Sequence, residues 1–366
     1  MTWHDADGVV VRVGVIGCGN VSTKYLKNLI GRPSIRIVAC ADTDRTRAET
    51  LASQYPGMRA CNVEELLFAS DIDLVLNLTA PAAHFDVSMA VLRAGKHVYS
   101  EKPLATTLDD ARALVREAEV ARLRIGVAPD TFLGAGTQRN IRLLEDGAIG
   151  TPISVSAAVL NAGPERFHPH PDFLYQNGAG PLFDIGPYYV TVLTAMLGPV
   201  ARAAAFAVSG RKEREILTGP RTGERFEVET PTHVTAILQF RHGSTATLTT
   251  SFDVVQTGMP NLEIYGVQGT ISAPQANSWG GPIFISTGEN ASFVEVPLSA
   301  DAEHGYMGMG LVDLAASIVE CRPHQASGTR GFHVLEVLTA ISESARRGGV
   351  LIDVTSTTEE VSTGAV

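Results

Sequence analysis

Between residues 9 and 127 short apolar runs alternate with amphipathic stretches, and this alternation constrains the fold more than any other feature of the chain. The runs fall at 9–16, 35–41, 74–78, 97–100 and 124–128. Between them, 45–55, 83–94 and 108–122 carry apolar residues at helical spacing. Strands that alternate with helices pair in parallel, are covered on both faces, and bind ligands beyond their carboxyl ends. The spacing therefore predicts a doubly wound α/β domain over 9–127. Thr107-Leu-Asp-Asp110 opens the last of these helices as a capping box, with an acid in the first turn.

After residue 128 the pattern changes. Helices are predicted at 137–145 and 185–197, the second following Gly178-Ala-Gly-Pro181, and a strand at 153–160. Residues 233–240 and 245–252 flank Arg241-His-Gly-Ser244, a hairpin signal with its glycine. Further strands are predicted at 262–265, 282–286 and 293–296, and closing helices at 311–320 and 332–346. Consecutive strands joined by short turns predict a largely antiparallel sheet, so 128–353 reads as a second domain of α+β class. Residues 354–366, rich in Thr, Ser and Glu, read as a disordered tail.

A chain of 366 residues suffices for two such domains. Its formal charge of −10 comes with no clustered basic stretch, which argues against a nucleic-acid partner. Cys18, Cys40, Cys61 and Cys321 are scattered, with no CxxC pair, a pattern of reducing compartments. The first residues lack a basic region followed by an apolar core, and no apolar run approaches a membrane span. The expected location is the cytoplasm.

The first predicted strand runs into Gly17-Cys-Gly-Asn-Val-Ser22, a dinucleotide fingerprint with serine where a third glycine often sits. Gly17 permits the tight turn, Gly19 lets backbone approach a pyrophosphate, and the helix starting near Val21 offers free N–H groups to the anion. Asp42 ends the second strand, at the spacing of the acid that binds an adenosine ribose. A carboxylate there accepts the 2′- and 3′-hydroxyls and repels a 2′-phosphate, favouring NAD over NADP, while Arg45 and Arg47 could serve a phosphate. The alternative reading of Asp42 is a helix cap. Lys102, in Glu101-Lys102-Pro103 at the end of a later strand of the same sheet, falls where the reactive end of the dinucleotide would lie.

These motifs resemble the Gfo/Idh/MocA oxidoreductase family. The resemblance rests on Gly17-Cys-Gly-Asn20, Thr79-Ala-Pro-Ala-Ala-His84, Glu101-Lys-Pro103 and Gly180-Pro-Leu-Phe-Asp184-Ile-Gly186, in that order over nearly the whole chain. It implies a Rossmann domain followed by an α/β domain whose open sheet often forms oligomer contacts. The implied activity is oxidation or reduction of a hydroxyl on a sugar, polyol or related compound. Lys102 is similar to the family's catalytic lysine, and Glu101 and His84 to positions lining the nicotinamide ribose. Asn20, Val21 and Thr79 fall in the cofactor-binding motifs, and Asp184 matches the substrate-site aspartate. The family pattern Asp-x-Gly-x-His, whose histidine serves as acid/base, reads here Asp184-Ile-Gly-Pro-Tyr188.

Removing a hydride from a secondary alcohol requires that the hydroxyl proton leave with it, to a base within hydrogen-bond reach. Lysine is such a base only where burial and neighbouring positive charge favour the neutral amine. If Lys102 stays charged it stabilises the alkoxide instead, and its bland alternative is a surface pair with Glu101. Asp184 and Tyr188 are spaced to share one helical face, which makes a Lys–Tyr relay plausible. Tyr188 is otherwise a core aromatic and Asp184 an N-cap. Arg166-Phe-His168-Pro-His170 reads as a wall of the substrate pocket rather than a metal site, because no third ligand is evident. Arg166, Arg221, Arg225 and Arg330 are candidates for an acidic sugar. Two further functions use the same motifs: a glycosidase that oxidises, eliminates the aglycone and re-reduces, and a non-catalytic NAD-binding sensor.

Overall fold

The computed structural model describes residues 10–288, 291–298 and 305–358. The chain divides into two compact units. In the first, strands β1 (Val11–Ile16), β2 (Ile35–Ala41), β3 (Arg59–Cys61), β4 (Leu74–Asn77), β5 (His97–Ser100) and β6 (Ile125–Val127) alternate with helices α1 (Asn20–Leu29), α2 (Arg45–Ser53), α3 (Val63–Phe68), α4 (His84–Arg93) and α5 (Leu108–Ala121). The strands form one parallel sheet in the order β3-β2-β1-β4-β5-β6. Every residue of β4 is buried, as the central strand of a sheet covered on both faces must be. Val9, at the start of the first predicted strand, lies outside the described residues. Thr107 caps α5 as its sequence predicts, accepting the Asp110 N–H at 3.2 Å.

The second unit contains α6 (Ala135–Glu145), β7 (Pro152–Leu160), α7 (Gly180–Asp184), α8 (Gly186–Leu197), β8 (Val200–Val208), β9 (Glu213–Glu215), β10 (Arg225–Glu227), β11 (His233–Phe240), β12 (Thr245–Ser251), β13 (Leu262–Gly266), β14 (Gly269–Ser272), β15 (Ile283–Thr287) and β16 (Val294–Val296). Helices α9 (Met309–Glu320) and α10 (Gly328–Arg346) and the short β17 (Ile352–Asp353) close the chain. Nine strands form one sheet, β16-β15-β14-β13-β7-β12-β11-β8-β17, while β9 and β10 pair apart. The sheet is largely antiparallel, with β7 and β12 its one parallel pair among the described residues.

Two boundaries differ from the sequence reading. Residues 306–335 fold with the first unit, not the second. The Asp130 carboxylate accepts the N–H groups of Gly308 and Gly310 at 2.8 and 3.0 Å, tying α9 to the end of β6. Beside it the Val127 N–H donates to Ala326 O at 2.9 Å, continuing the sheet edge. At the other end, the predicted tail is held as far as Ser356, because Glu336 accepts the N–H groups of Thr355 and Ser356. The rest of that tail, 359–366, lies outside the described residues. No helix among the described residues is long and apolar enough to cross a membrane.

Candidate active site

The turn after β1 is built by two glycines with opposite requirements. Gly17 has φ +99°, and a Cβ there would lie 2.6 Å from the Leu78 carbonyl group, so backbone from β4 packs where a side chain would be. Gly19 has φ −81°, open to any residue, yet a Cβ there would meet nothing within 4 Å. Its bare face fronts open space at the N-terminus of α1, where the first N–H groups lack helical partners. Ser22, at the third motif position, is buried and donates its hydroxyl to Gly19 O at 2.7 Å. Asn20 and the exposed Val21 form the first turn of α1. A pyrophosphate fits this cradle: the N–H groups, the absent side chain and the dipole all favour an anion there.

Asp42 is not a helix cap. That position belongs to Asp44, which accepts the Thr46 N–H at 3.0 Å. Asp42 instead accepts the Cys18 N–H at 2.8 Å with one oxygen and the Asp44 N–H at 2.9 Å with the other. Hydrogen bonding with Cys40 and burial push the Cys18 thiol pKa far up, so it stays protonated in the turn. A cavity of about 480 Å³ opens beside the turn, between α1 and α2, lined by Gly19, Asn20, Thr46, Arg47 and Gln54 among others. Thr46 and Gln54 carry no motif and escaped the sequence reading. Arg47 also faces Asp44 at 3.4 Å, and Arg45 pairs with Glu49 on the surface.

At the far side of the same sheet edge, β4 ends in the buried Asn77, which organises the following loop. Its side-chain oxygen accepts the Thr79 hydroxyl at 2.7 Å, and its amide donates to Ser88 at 3.0 Å. His84 is 1% exposed, with Nδ1 2.7 Å from Pro103 O and Nε2 3.0 Å from Thr79 O. The sequence reading placed it against the nicotinamide ribose. Both ring nitrogens lie against backbone carbonyls, and the ring braces the loop after β4 against the loop after β5. Glu101 and the half-buried Lys102 follow β5 directly. The Glu101 carboxylate accepts the Tyr25 hydroxyl at 2.7 Å and the Lys102 N–H at 3.0 Å.

In the second unit Asp184 is the last residue of α7, and Ile185 takes the N-cap position of α8 without a side-chain bond. Asp184 is therefore not a cap. Ile185 keeps right-handed helical angles, so the Asp184-to-Tyr188 spacing still spans one turn. Tyr189 is the fully buried core aromatic, while Tyr188 is half-buried. Arg166 and His170 are exposed and His168 half-buried. His168 packs edge-on to Phe173 at 5.6 Å and accepts the His170 N–H at 3.0 Å. This loop is pinned from beneath by Glu165, which is buried against Arg214 and the Tyr175 hydroxyl.

The remaining arginines have other partners. Arg221 makes a two-pronged contact with Asp172 at 2.7 and 2.8 Å, holding that carboxyl below the usual carboxylate range, and Arg225 faces Glu213 and Glu215. Arg330, in the first unit, donates to Gln325 O at 3.1 Å, and burial lowers its pKa to about 10. Among the described residues no group of three or more His, Cys, Asp or Glu side chains is arranged to hold a metal ion.

The GFO_IDH_MocA model, for an oxidoreductase family with an NAD-binding Rossmann fold, matches residues 11–128, and the GFO/IDH/MocA C-terminal domain matches residues 137–272. A dTDP-3,4-didehydro-2,6-dideoxy-α-D-glucose 3-reductase of Actinomadura kijaniata is 29% identical over 272 residues, spanning 73% of this chain and 76% of that protein. A 1,5-anhydro-D-fructose reductase of Ensifer adhaerens is 27% identical over 263 residues, spanning 71% and 74% respectively. Among solved structures, a levoglucosan dehydrogenase in complex with NADH and levoglucosan superposes with a TM-score of 0.79 at 20% identity, covering 94% of this chain and 99% of that one. At that identity the likeness establishes the fold alone.

Proposed function

Because the chain belongs to the Gfo/Idh/MocA oxidoreductase family and carries its NAD-binding domain, we propose that it moves a hydride between nicotinamide and a hydroxyl-bearing carbon of a sugar, polyol or sugar derivative. The observation that carries this reading is the layout of one sheet edge. The open face of Gly19 follows β1, and Lys102 follows β5, two strands away in the same parallel sheet. At the usual strand spacing that separation is about 10 Å. An anion anchor and a proton-handling amine thus stand at the same carboxyl edge.

Gly17, Gly19, Asn20 and Val21 hold the pyrophosphate, Asp42 and Thr79 the adenosine side, and Glu101 the nicotinamide ribose. A nicotinamide held there would supply the hydride acceptor or donor. Lys102 Nζ takes the hydroxyl proton during oxidation and returns it during reduction. Asp184 and Tyr188 bind substrate hydroxyls, with Tyr188 standing where the family pattern has histidine. Arg166, His168 and His170 present polar edges and ring faces suited to a sugar. His84 contributes through the loops that it braces.

The sugar specificity of the two reductases supports the substrate class. The four free thiols support a reducing, cytoplasmic setting, and the exposed Phe206 and Ile237 on the open sheet face support a homo-oligomer. The test follows reduced nicotinamide and free aglycone in parallel over a panel of sugars and glycosides. Reduced cofactor formed in step with substrate loss is the expected result. Aglycone release over many turnovers without net reduction would identify a redox-cycling glycosidase, and neither signal alongside NADH binding a sensor.

A further inference from the structure

Tyr25 stands on α1, the helix whose N-terminus we assign to the pyrophosphate, and is 1% exposed. Its hydroxyl donates to Glu101 Oε1 at 2.7 Å, across the sheet from α1 to the end of β5. Glu101 Oε2 accepts the Lys102 N–H at 3.0 Å, and the Glu101 N–H donates to Asn77 O at 2.9 Å. The tyrosine ring is enclosed, with the Gly308 backbone packed close against it. A Cβ on Gly308 would lie 3.3 Å from its Cδ1 and 2.8 Å from Leu29, and Gly308 is itself held by Asp130. Burial and the adjacent Glu101 charge push the Tyr25 pKa well up, so the phenol keeps its proton and remains a donor.

We propose that Tyr25 is the positioning residue for the nicotinamide end of the cofactor site, acting through Glu101. Its hydroxyl holds one oxygen of the Glu101 carboxylate while the Lys102 amide holds the other. The free lone pairs are thereby aimed at the ribose hydroxyls. The pyrophosphate helix and the Glu101-Lys102 corner then move as one piece, and the cofactor meets both anchors at a preset separation. The other titratable groups around Glu101 are Tyr99 on β5, Asp130 after β6 and, beyond Tyr99, Asp313 on α9. The inference rests on the cofactor reading above.

The test titrates full-length wild type, Tyr25→Phe, Glu101→Gln and the double variant with NADH by fluorescence near neutral pH, with melting curves as controls. Tyr25→Phe should keep the melting temperature within a few degrees and bind NADH about 5- to 20-fold more weakly, the scale of one hydrogen bond to a charged acceptor. The double variant should bind no more weakly than Glu101→Gln alone. Wild-type affinity in Tyr25→Phe, or additive losses in the double variant, would overturn the proposal. If Tyr25→Phe does not fold, Glu101→Gln decides: it should bind NADH at least about 5-fold more weakly with an unchanged melting temperature, and wild-type affinity there overturns the idea. Wild type that fails to bind NADH at all would sink the cofactor reading itself.

Discussion

The Asp42 carboxylate accepts the Cys18 N–H at 2.8 Å, so the acid at the end of β2 clamps the middle of the glycine turn after β1. On the proposed cofactor reading, one residue serves as turn brace and as ribose acceptor. Asp42→Asn keeps an oxygen for the Cys18 amide, removes the charge and gives up the weaker, exposed contact with the Asp44 N–H. It should retain the wild-type melting temperature within a few degrees, while NAD affinity falls about tenfold and discrimination against NADP relaxes by a similar factor. Binding isotherms for both dinucleotides check this, and unchanged discrimination would rule out the ribose role.

The two glycines of the turn separate folding from binding. Gly17→Ala places a Cβ 2.6 Å from the Leu78 backbone at φ +99°, and should cost at least about 2 kcal/mol in urea denaturation. Gly19→Ala meets no protein atom within 4 Å and should leave stability within about 1 kcal/mol while abolishing NADH binding. Equal stability losses in the two variants would contradict this account of the turn.

Lys102→Ala should lower turnover by about 10²- to 10⁴-fold, the range of a lost acid–base group. Melting temperature and NADH affinity should stay close to wild type, because the half-buried side chain is not part of the core. Initial rates under saturating cofactor, set beside a fluorescence titration, distinguish a catalytic group from a merely adjacent one.

Asp130 provides a pH signature. Burial pushes its carboxyl up to about 6, against an ordinary value near 3.8. A pKa raised on folding means that the protonated form is favoured in the fold. The associated stability is fully present below about pH 4, is lost as pH rises through 6, and is constant above. The loss is about 3 kcal/mol by linkage. Asp130→Asn retains an oxygen for Gly308 and Gly310 and should erase this dependence, while being at least as stable as wild type at pH ~8. Denaturation midpoints across the window are the measurement, and a persistent slope in the variant would refute the assignment.

Arg214 is buried between Glu165 and Asp253 and donates to Phe252 O at 2.9 Å. Arg214→Ala leaves two carboxylates in a poorly solvated site and should destabilise by about 3–5 kcal/mol. The same substitution should loosen the 161–176 loop, seen as faster amide exchange there than in β11. Protection unchanged in that loop would show that the network does not hold it.

The α/β alternation, the glycine turn, the Thr107 cap and most central strands were legible in the residues themselves, since each is a local pattern of burial period or capping chemistry. Elements whose reason is non-local were not. Strand β8, Val-Ala-Arg-Ala-Ala-Ala-Phe-Ala-Val, is rich in a helix former and is a strand because β11 and β17 pair with it. Strand β3 is a three-residue edge with no run to detect. Nothing in the chain shows that 306–335 returns to the first unit, because that depends on the buried Asp130 carboxylate meeting two backbone amides far along the sequence. Function divides in the same way. Sequence alone determined the chemistry available at positions 17, 19, 42, 101 and 102, because turn geometry and strand ends dictate it. Only the tertiary structure decided that Asp44 rather than Asp42 is the cap, that Tyr189 rather than Tyr188 is core, and that His84 is a brace. Those roles are set by which atoms lie within about 3 Å across the fold, which residue order along the chain does not encode locally.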